Sequence, residues 1–202
     1  MITVMPCTIP ASVKGNNGKL TACQLTSVYF PGKGHGSLYP TAARSWAAMV
    51  LECKAQTGAV LTVTSLNDAY RAIERQTSVF LARYTPTYLP IRNVLTSKRT
   101  YQGAVWYKRA NVATVASPGT SNHGYGLAAD IAILSGSVTQ SLASSTNVYS
   151  WMQDNAPQFG WTWETSLAAP GFEPWHLRHT TGDTVTPRVV RVEEWVAAHT
   201  PA

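Results

Sequence analysis

Two short segments of the sequence each combine a histidine with a carboxylate, the pairing that metal binding and acid–base chemistry require. The first, SNHGYGLAAD, contains His123 and Asp130 with two glycines between them, and the second, EPWH, contains Glu173 and His176. The glycines permit a tight turn before the chain enters a strand. Because a bare carboxylate is costly to bury between the apolar residues of that strand, Asp130 is expected to face a metal ion or a cationic partner.

Two histidines and one aspartate form a donor set suited to zinc, which in catalytic sites takes three protein ligands and keeps one position for water. The pattern therefore predicts that His123, Asp130 and His176 bind one zinc ion. Glu173 is left over, and a carboxylate beside such an ion can take a proton from water during attack on a carbonyl. Taken singly, each residue has a structural alternative: a packed histidine, an ion pair between Asp130 and Arg71, or a surface glutamate.

The combined motifs resemble those of one enzyme family. SNHGYGLAAD fits the pattern S-x-H-x-x-G-x-A-x-D, and EPWH fits E-x-x-H, of the zinc D-alanyl-D-alanine carboxypeptidases and L-alanyl-D-glutamate endopeptidases, the VanY-like peptidoglycan peptidases. YRAIERQ, at 70–76, is similar to the family's Y-R-S-x-x-x-Q segment. The resemblance implies the same three zinc ligands, makes Glu173 the general base, and assigns Arg71 to the polarised carbonyl oxygen or to a substrate carboxylate.

Three further residues are predicted to contact substrate through this resemblance. Ser121 matches the motif serine, with a structural hydroxyl as the alternative, Gln76 matches the end of the upstream segment, and Trp175 lies within EPWH. The family usually has S-G-Y-R where this chain has SLNDAYR, so the loop that leads to Arg71 is altered. The implied fold is α+β, with the zinc site on an antiparallel sheet, as in the signalling domain of hedgehog proteins.

Apolar periodicity predicts helices and strands without a regular βαβ alternation, which also favours an α+β fold with an antiparallel sheet. Helices are expected at 41–57, after a cap at Asp68, around 148–155 and from Pro187 onward. The second helix should bury an apolar stripe formed by Ile73, Thr77, Phe80, Leu81 and Tyr84. The last helix should bury a stripe formed by Val189, Val192, Trp195 and Val196. Strands are predicted at 59–65, 103–107, 126–134, GWTW and PWHLRH; irregular chain or loops at 1–40, 85–103 and 135–146.

The remaining histidines match no motif position. His35, between glycines, is predicted to lie in a loop, and His199 at the C-terminus of a helix. His179 is left with two alternatives, near the site or merely on its strand.

Composition indicates one folded domain over 1–202, with an arm at 1–40 and the start of a linker at 199–202. Of the 202 residues 45% are hydrophobic and 13% charged, unlike a disordered chain. The net charge of +6 favours polyanions, but the basic residues are too scattered for a nucleic-acid surface. No apolar run is long enough for membrane insertion, and Cys7, Cys23 and Cys53 match no zinc finger.

The expected function is hydrolysis of an amide bond in the stem peptide or cross-link of bacterial peptidoglycan by a monomeric zinc enzyme. The sequence shows no export signal, and with its size and charge this is typical of a bacteriophage endolysin. Such a protein is made in the host cytoplasm and meets the wall after the membrane has opened. The alternatives are a bacterial D,D-carboxypeptidase that trims terminal D-Ala, and a hedgehog-like zinc domain without activity.

Overall fold

Four α-helices and ten strands occur among the residues that the computed structural model describes, which are 4–89, 98–143, 146–164 and 172–200. The helices are α1 (Pro40–Thr57), α2 (Ile73–Arg83), α3 (Asn147–Asn155) and α4 (Pro187–His199). The strands are β1 (Thr26–Phe30), β2 (Gly34–Leu38), β3 (Val60–Val63), β4 (Tyr84–Thr85), β5 (Lys98–Tyr101), β6 (Ala104–Lys108), β7 (Ala128–Ser135), β8 (Val138–Ser141), β9 (Trp161–Trp163) and β10 (His176–His179).

The central sheet is antiparallel and runs in the order β3-β7-β10-β9, with β8 also paired to β7. Strand β7 is the longest, and it pairs with β10 through its first residues and with β3 and β8 through its last. Its sequence AADIAILS is nearly continuous in apolar residues, as expected for a strand that is buried on both faces over part of its length: Ala128, Ala129, Ile131 and Ala132 are fully buried. The predicted α+β fold with an antiparallel sheet is confirmed.

Helix α1 covers one face of this sheet. Trp46 of α1 is buried, and its ring centroid lies 5.5 Å from that of Phe30 and 6.0 Å from that of Trp161. Ile131 of β7 and Leu177 of β10 are fully buried in the same core. Since side chains alternate along a strand, Asp130, which precedes Ile131, and His176, which precedes Leu177, point to the opposite face. The core thus fixes the sheet on one side and leaves the other for polar chemistry.

Two peripheral sheets flank the central one. β1 and β2 form a hairpin within the predicted arm, so His35 lies in β2 rather than in a loop. β4, β6 and β5 form the second small sheet, which replaces part of the loop predicted at 85–103. β8 likewise replaces part of the connection predicted at 135–146. Cross-strand pairing, which local composition does not reveal, stabilises these polar strands; 90–97 and 144–145 fall outside the described residues.

Several details of the predicted helices were wrong. Asp68 does not cap α2, because its carboxylate accepts hydrogen bonds from the hydroxyls of Thr64 and Ser65, and α2 begins after Ala72. Leu81 and Trp195 are exposed, at 45% and 62%. Trp195 instead stacks on His199, whose Nδ1 lies 2.8 Å from the Trp195 carbonyl oxygen at the end of α4, as predicted for a histidine at a helix C-terminus.

All three cysteines are free thiols. None of the described helices is both long enough and apolar enough to cross a membrane.

Candidate metal centre

The register of β7 against β10 brings together two residues that are far apart in sequence. His176 pairs directly with Asp130 across the two strands, and both side chains emerge from the face opposite α1. His176 Nδ1 lies 2.8 Å from Asp130 Oδ1. The antiparallel pairing therefore creates the first half of the predicted ligand set.

His123 reaches the same place from a 3₁₀ turn, Asn122–Tyr125, that leads into β7. Gly126 closes the turn with φ of 65°, and a side chain there would collide with the backbone of Tyr39. The buried ring donates Nδ1–H to the Ala69 carbonyl at 3.0 Å, which leaves Nε2 facing Asp130 Oδ1 at 3.4 Å. Such an anchor on the outer nitrogen is what a metal-binding histidine usually has.

Gln76 supports this turn from behind rather than lining the cleft. It is 5% exposed, and its Nε2 donates to Asn17 Oδ1 and to the Arg71 carbonyl while its Oε1 accepts from Gly119 N–H. Asn17 in turn donates to the Ser121 carbonyl at 2.7 Å. The substrate contact predicted for Gln76 does not fit this position, because the amide is already engaged by the protein and holds three loops together.

Arg71 lies beside the ligand set. Its Nη2 is 2.7 Å from Asp68 Oδ1 and 3.7 Å from Asp130 Oδ2, and its backbone N–H donates to the His123 carbonyl. The altered loop before Arg71 therefore supplies its own anchor, because Asp68 orients the guanidinium. The ion pair with Asp130, considered from the sequence as an alternative to metal binding, coexists with the His/Asp/His cluster.

Glu173 is placed by a tight turn that precedes β10. Its carbonyl accepts the His176 N–H at 3.1 Å, so the two residues of the EPWH motif share one turn. The Glu173 side chain is partly buried and lines the cleft, and it does not belong to the His/Asp/His cluster. Burial raises the pKa of Glu173, His176 and Arg83 lower it, and the net shift is upward.

Glu164 is a site residue that sequence reasoning missed. It follows β9 directly, and its Oε2 lies 3.5 Å from His176 Nε2, while Oε1 accepts from Asn122 Nδ2 at 3.4 Å. A carboxylate on the outer nitrogen of a ligating histidine fixes the ring and raises its basicity. In the sequence, Glu164 is marked only by its position directly after the predicted strand GWTW. The structure pairs that strand with the strand of His176.

The charges of the cluster are strongly coupled. Burial alone would raise the pKa of Asp130, but both histidines outweigh it and hold that pKa well below the usual range. Burial lowers the pKa of His123. Burial also acts to lower the pKa of His176, yet its contacts with Asp130 and Glu164 prevail and raise it to about 9. The cluster therefore keeps Asp130 ionised and favours added positive charge at His176, whereas it favours the neutral form of His123.

Zinc fits this arrangement. One ligand atom from each of His123, Asp130 and His176 can be chosen so that all lie within 4.8 Å of one another. Two imidazole nitrogens and one carboxylate oxygen match the donor types of catalytic zinc sites, and three protein ligands leave a position for water. A divalent cation would also satisfy the carboxylate of Asp130, which is costly to bury without one.

The cluster lies in a cleft of about 1080 Å³ that is open to solvent. Ser121 and Trp175, both predicted to contact substrate, are among its lining residues. His179 lies on the other face of β10, where its Nε2 is 3.0 Å from Ser45 Oγ, so it does not join the His/Asp/His cluster.

Comparisons with known proteins agree with this geometry. A family model described as VanY, D-alanyl-D-alanine carboxypeptidase, matches residues 35–182. The structure of the LdcB LD-carboxypeptidase, said to reveal the basis of peptidoglycan recognition, has a TM-score of 0.54 and 24% identity, covering 88% of this chain and 75% of that chain. No curated protein matched the chain in sequence.

Two further structures show the same fold. VanYB in complex with D-alanine-D-alanine has a TM-score of 0.52 and 19% identity, over 87% of this chain and 90% of that one. A mutant of the VanY D,D-pentapeptidase from a VanB-type resistance cassette, in complex with Zn(II), has a TM-score of 0.51 and 19% identity, over 85% and 88%. At these identities the similarity is one of fold.

Proposed function

The chain belongs to the VanY family of D-alanyl-D-alanine carboxypeptidases, and from that membership we propose that it is a zinc metallopeptidase that hydrolyses an amide bond of bacterial peptidoglycan. The solved relative in complex with Zn(II) and the relative described as recognising peptidoglycan support the metal and the substrate class. The His/Asp/His cluster supplies the matching ligands in this chain.

One observation carries the proposal of catalysis: Glu173 lines the cleft beside the cluster without belonging to it. In a structural zinc site the protein ligands fill all coordination positions, and a further carboxylate that does not bind the metal is not required. Glu173 is such a carboxylate, and burial raises its pKa. A general base, in contrast, works best when its pKa approaches the working pH. The hedgehog-like domain without activity is therefore the weaker candidate.

The residues of the cleft divide the reaction between them. When bound, zinc would supply a Lewis acid that polarises the scissile carbonyl and acidifies a water molecule, whose pKa falls to about 7 in such sites. Glu173 accepts a proton from the attacking water and returns it to the leaving amine. Arg71, held by Asp68, donates to the oxygen on which negative charge develops. Glu164 holds the His176 ring through its outer nitrogen.

The decisive variant is Glu173→Gln. It should keep the fold and one zinc per chain but lose peptidase activity by the roughly 10²–10⁴-fold that general acid–base catalysis supplies, because an amide cannot accept the proton at neutral pH. Metal analysis and hydrolysis of purified peptidoglycan are measured on the same preparation. Loss of zinc would make Glu173 a ligand and the site a structural one, whereas full activity would require another base.

The finer role that we propose is that of a bacteriophage endolysin, supported by the +6 charge, which would draw the enzyme to acidic wall polymers. The second candidate is a D,D-carboxypeptidase that trims terminal D-Ala, favoured by the description of the matching family. An endopeptidase separates wall strands, so walls treated from outside should clear and expose new amines. A carboxypeptidase should release free D-Ala without clearing. Mass spectrometry of the digest identifies the bond.

A further inference from the structure

We infer that the side of the cleft formed by α2 and the adjacent small sheet, which we call the basic arm, binds free carboxylates of the substrate peptide. The basic arm consists of the cleft-lining cations Arg75, Arg83, Arg99 and Lys108. This inference deepens the proposed function, on which it rests, and specifies an acidic peptide as the substrate class.

Helix α2 presents two of these cations on one side. Arg75, Val79 and Arg83 are spaced by four residues and all line the cleft, while Gln76 and Phe80 on the same helix are buried. Within the described part of the chain neither Arg75 nor Arg83 forms an ion pair, whereas the guanidinium groups of other arginines pair with carboxylates: Arg44 with Glu193, Arg71 with Asp68 and Arg188 with Glu52.

The small sheet next to α2 supplies the other two cations. The Lys108 ammonium donates to the Val112 carbonyl at 3.1 Å and Arg99 Nε donates to the Val115 carbonyl at 3.1 Å. These bonds hold both side chains against the segment 112–117, of which 113–117 line the cleft. Backbone pairing of Arg109 N–H with the Arg83 carbonyl at 2.8 Å joins this sheet to the end of α2.

Three of the four acidic residues that line the cleft are engaged by groups outside the basic arm. Asp68 is bound to Arg71, Asp130 belongs to the ligand cluster, and Glu164 lies against His176. The fourth, Glu173, shares a turn with His176, and the charge of Arg83 acts on it by lowering its pKa. Clustered charge of one sign along a low-dielectric cleft concentrates the field and attracts a ligand of opposite charge.

The size of the cleft permits contacts beyond the reacting bond. At about 1080 Å³ it lies at the upper end of the roughly 300–1,000 Å³ of ligand pockets, and it is open to solvent, so a peptide can extend through it. Stem peptides of peptidoglycan carry free carboxylates along their length, and these are planar acceptors that match arginine forks. The basic arm is therefore suited to binding those carboxylates.

Two soluble stem peptides with the same scissile bond test the inference, one with free carboxylates and one with those carboxylates amidated. For the zinc-loaded wild type, amidation should lower kcat/KM by about three- to tenfold, through KM, as expected for loss of partly solvated ion pairs. The double variant Arg75→Gln/Arg83→Gln should lose this preference, measured as the ratio of kcat/KM for the two peptides, in which any effect of Arg83 on the base Glu173 cancels. Added salt should weaken the preference in the wild type.

Arg44→Gln is the matched control, because Arg44 is an exposed arginine on α1 outside the cleft, and it should keep the preference. Equal cleavage of both peptides by the wild type overturns the inference while the proposed function stands. If neither peptide is cleaved, the proposed function fails, and calorimetric binding of both peptides to zinc-loaded Glu173→Gln decides the inference separately. Equal binding of the two peptides there overturns it. So does a preference retained by the double variant.

Discussion

His176 and His179 lie on the same strand but on opposite faces of the central sheet, and their surroundings give them opposite properties. His176 faces the cleft, where Asp130 at 2.8 Å and Glu164 at 3.5 Å raise its pKa to about 9 against the effect of burial. His179 faces α1, where burial lowers its pKa to about 4. Its Nε2 is near the hydroxyls of Ser45 and Thr181, and its Nδ1 has no partner in the described structure.

The comparison teaches that neither burial nor the presence of an imidazole identifies a metal ligand. Both rings are well buried, and they differ in whether a carboxylate lies within reach. A carboxylate favours added positive charge at the ring, whether proton or metal, and burial among neutral groups excludes it. The cleft face is thus specialised for chemistry, and the α1 face for stability.

The largest expected effect separates the two histidines by metal content. His176→Ala should lose stoichiometric zinc and activity, by more than the roughly 10–100-fold loss of metal affinity that removal of an outer partner causes. His179→Gln should keep one zinc per chain because that ring does not reach the cleft. Metal analysis of both variants, with circular dichroism to verify folding, checks the pair. Zinc retained by His176→Ala would refute the ligand assignment.

The second largest effect is a loss of turnover, which is expected only for substitutions of residues that line the cleft. Arg71→Ala should lower kcat by roughly 10²–10³-fold with zinc still bound, because a donor aimed at developing negative charge acts mainly in the transition state. The hydroxyls of Thr64 and Ser65 still satisfy one oxygen of Asp68 in this variant. Unchanged kcat would show that Arg71 only orders its loop. Arg44→Ala serves as the comparison, since its ion pair with Glu193 is exposed.

The smallest expected effect concerns the stability contributed by the α1 face, and it appears as the pH falls. Because the folded pKa of His179 is about 4 and the usual value is 6.5, its contribution is complete above pH 6.5. As the pH falls from 6.5 to about 4, the unfolded chain binds the proton before the folded protein does. The free energy of unfolding therefore decreases by up to about 3 kcal/mol. Urea unfolding of wild type and His179→Gln between about pH 7 and pH 4 measures the difference, in which other titrating groups cancel.

If the unfolding free energies of the two proteins run parallel with pH, the ring titrates normally and the two faces do not differ as described. If the wild type loses stability relative to His179→Gln as the pH falls from 6.5 to about 4, His179 is the neutral, buried counterpart of His176.

Much of the site could be predicted because its residue types are restricted by chemistry. His123, Asp130 and His176 stand in short motifs whose donor types suit zinc, and the structure brings them within one cluster. Helix α1 and strand β7 were also predictable, because apolar periodicity and a near-continuous apolar run reflect burial directly. The strands β5 and β8 were not, since polar edge strands depend on partners distant in sequence.

Three features were decided by the tertiary structure alone. Glu164 became a partner of His176 only when β9 paired with β10. Gln76, predicted to contact substrate, is instead buried and connects neighbouring loops, because its amide is hydrogen-bonded to Asn17 and Gly119. His179 was assigned to the core by the alternation of β10, whose direction the sequence does not specify. The sequence by itself determined which chemistry the chain can perform, because side-chain types set the possible ligands and bases. Which face, partner and charge each residue meets depends on strand register and packing, which are properties of the whole fold.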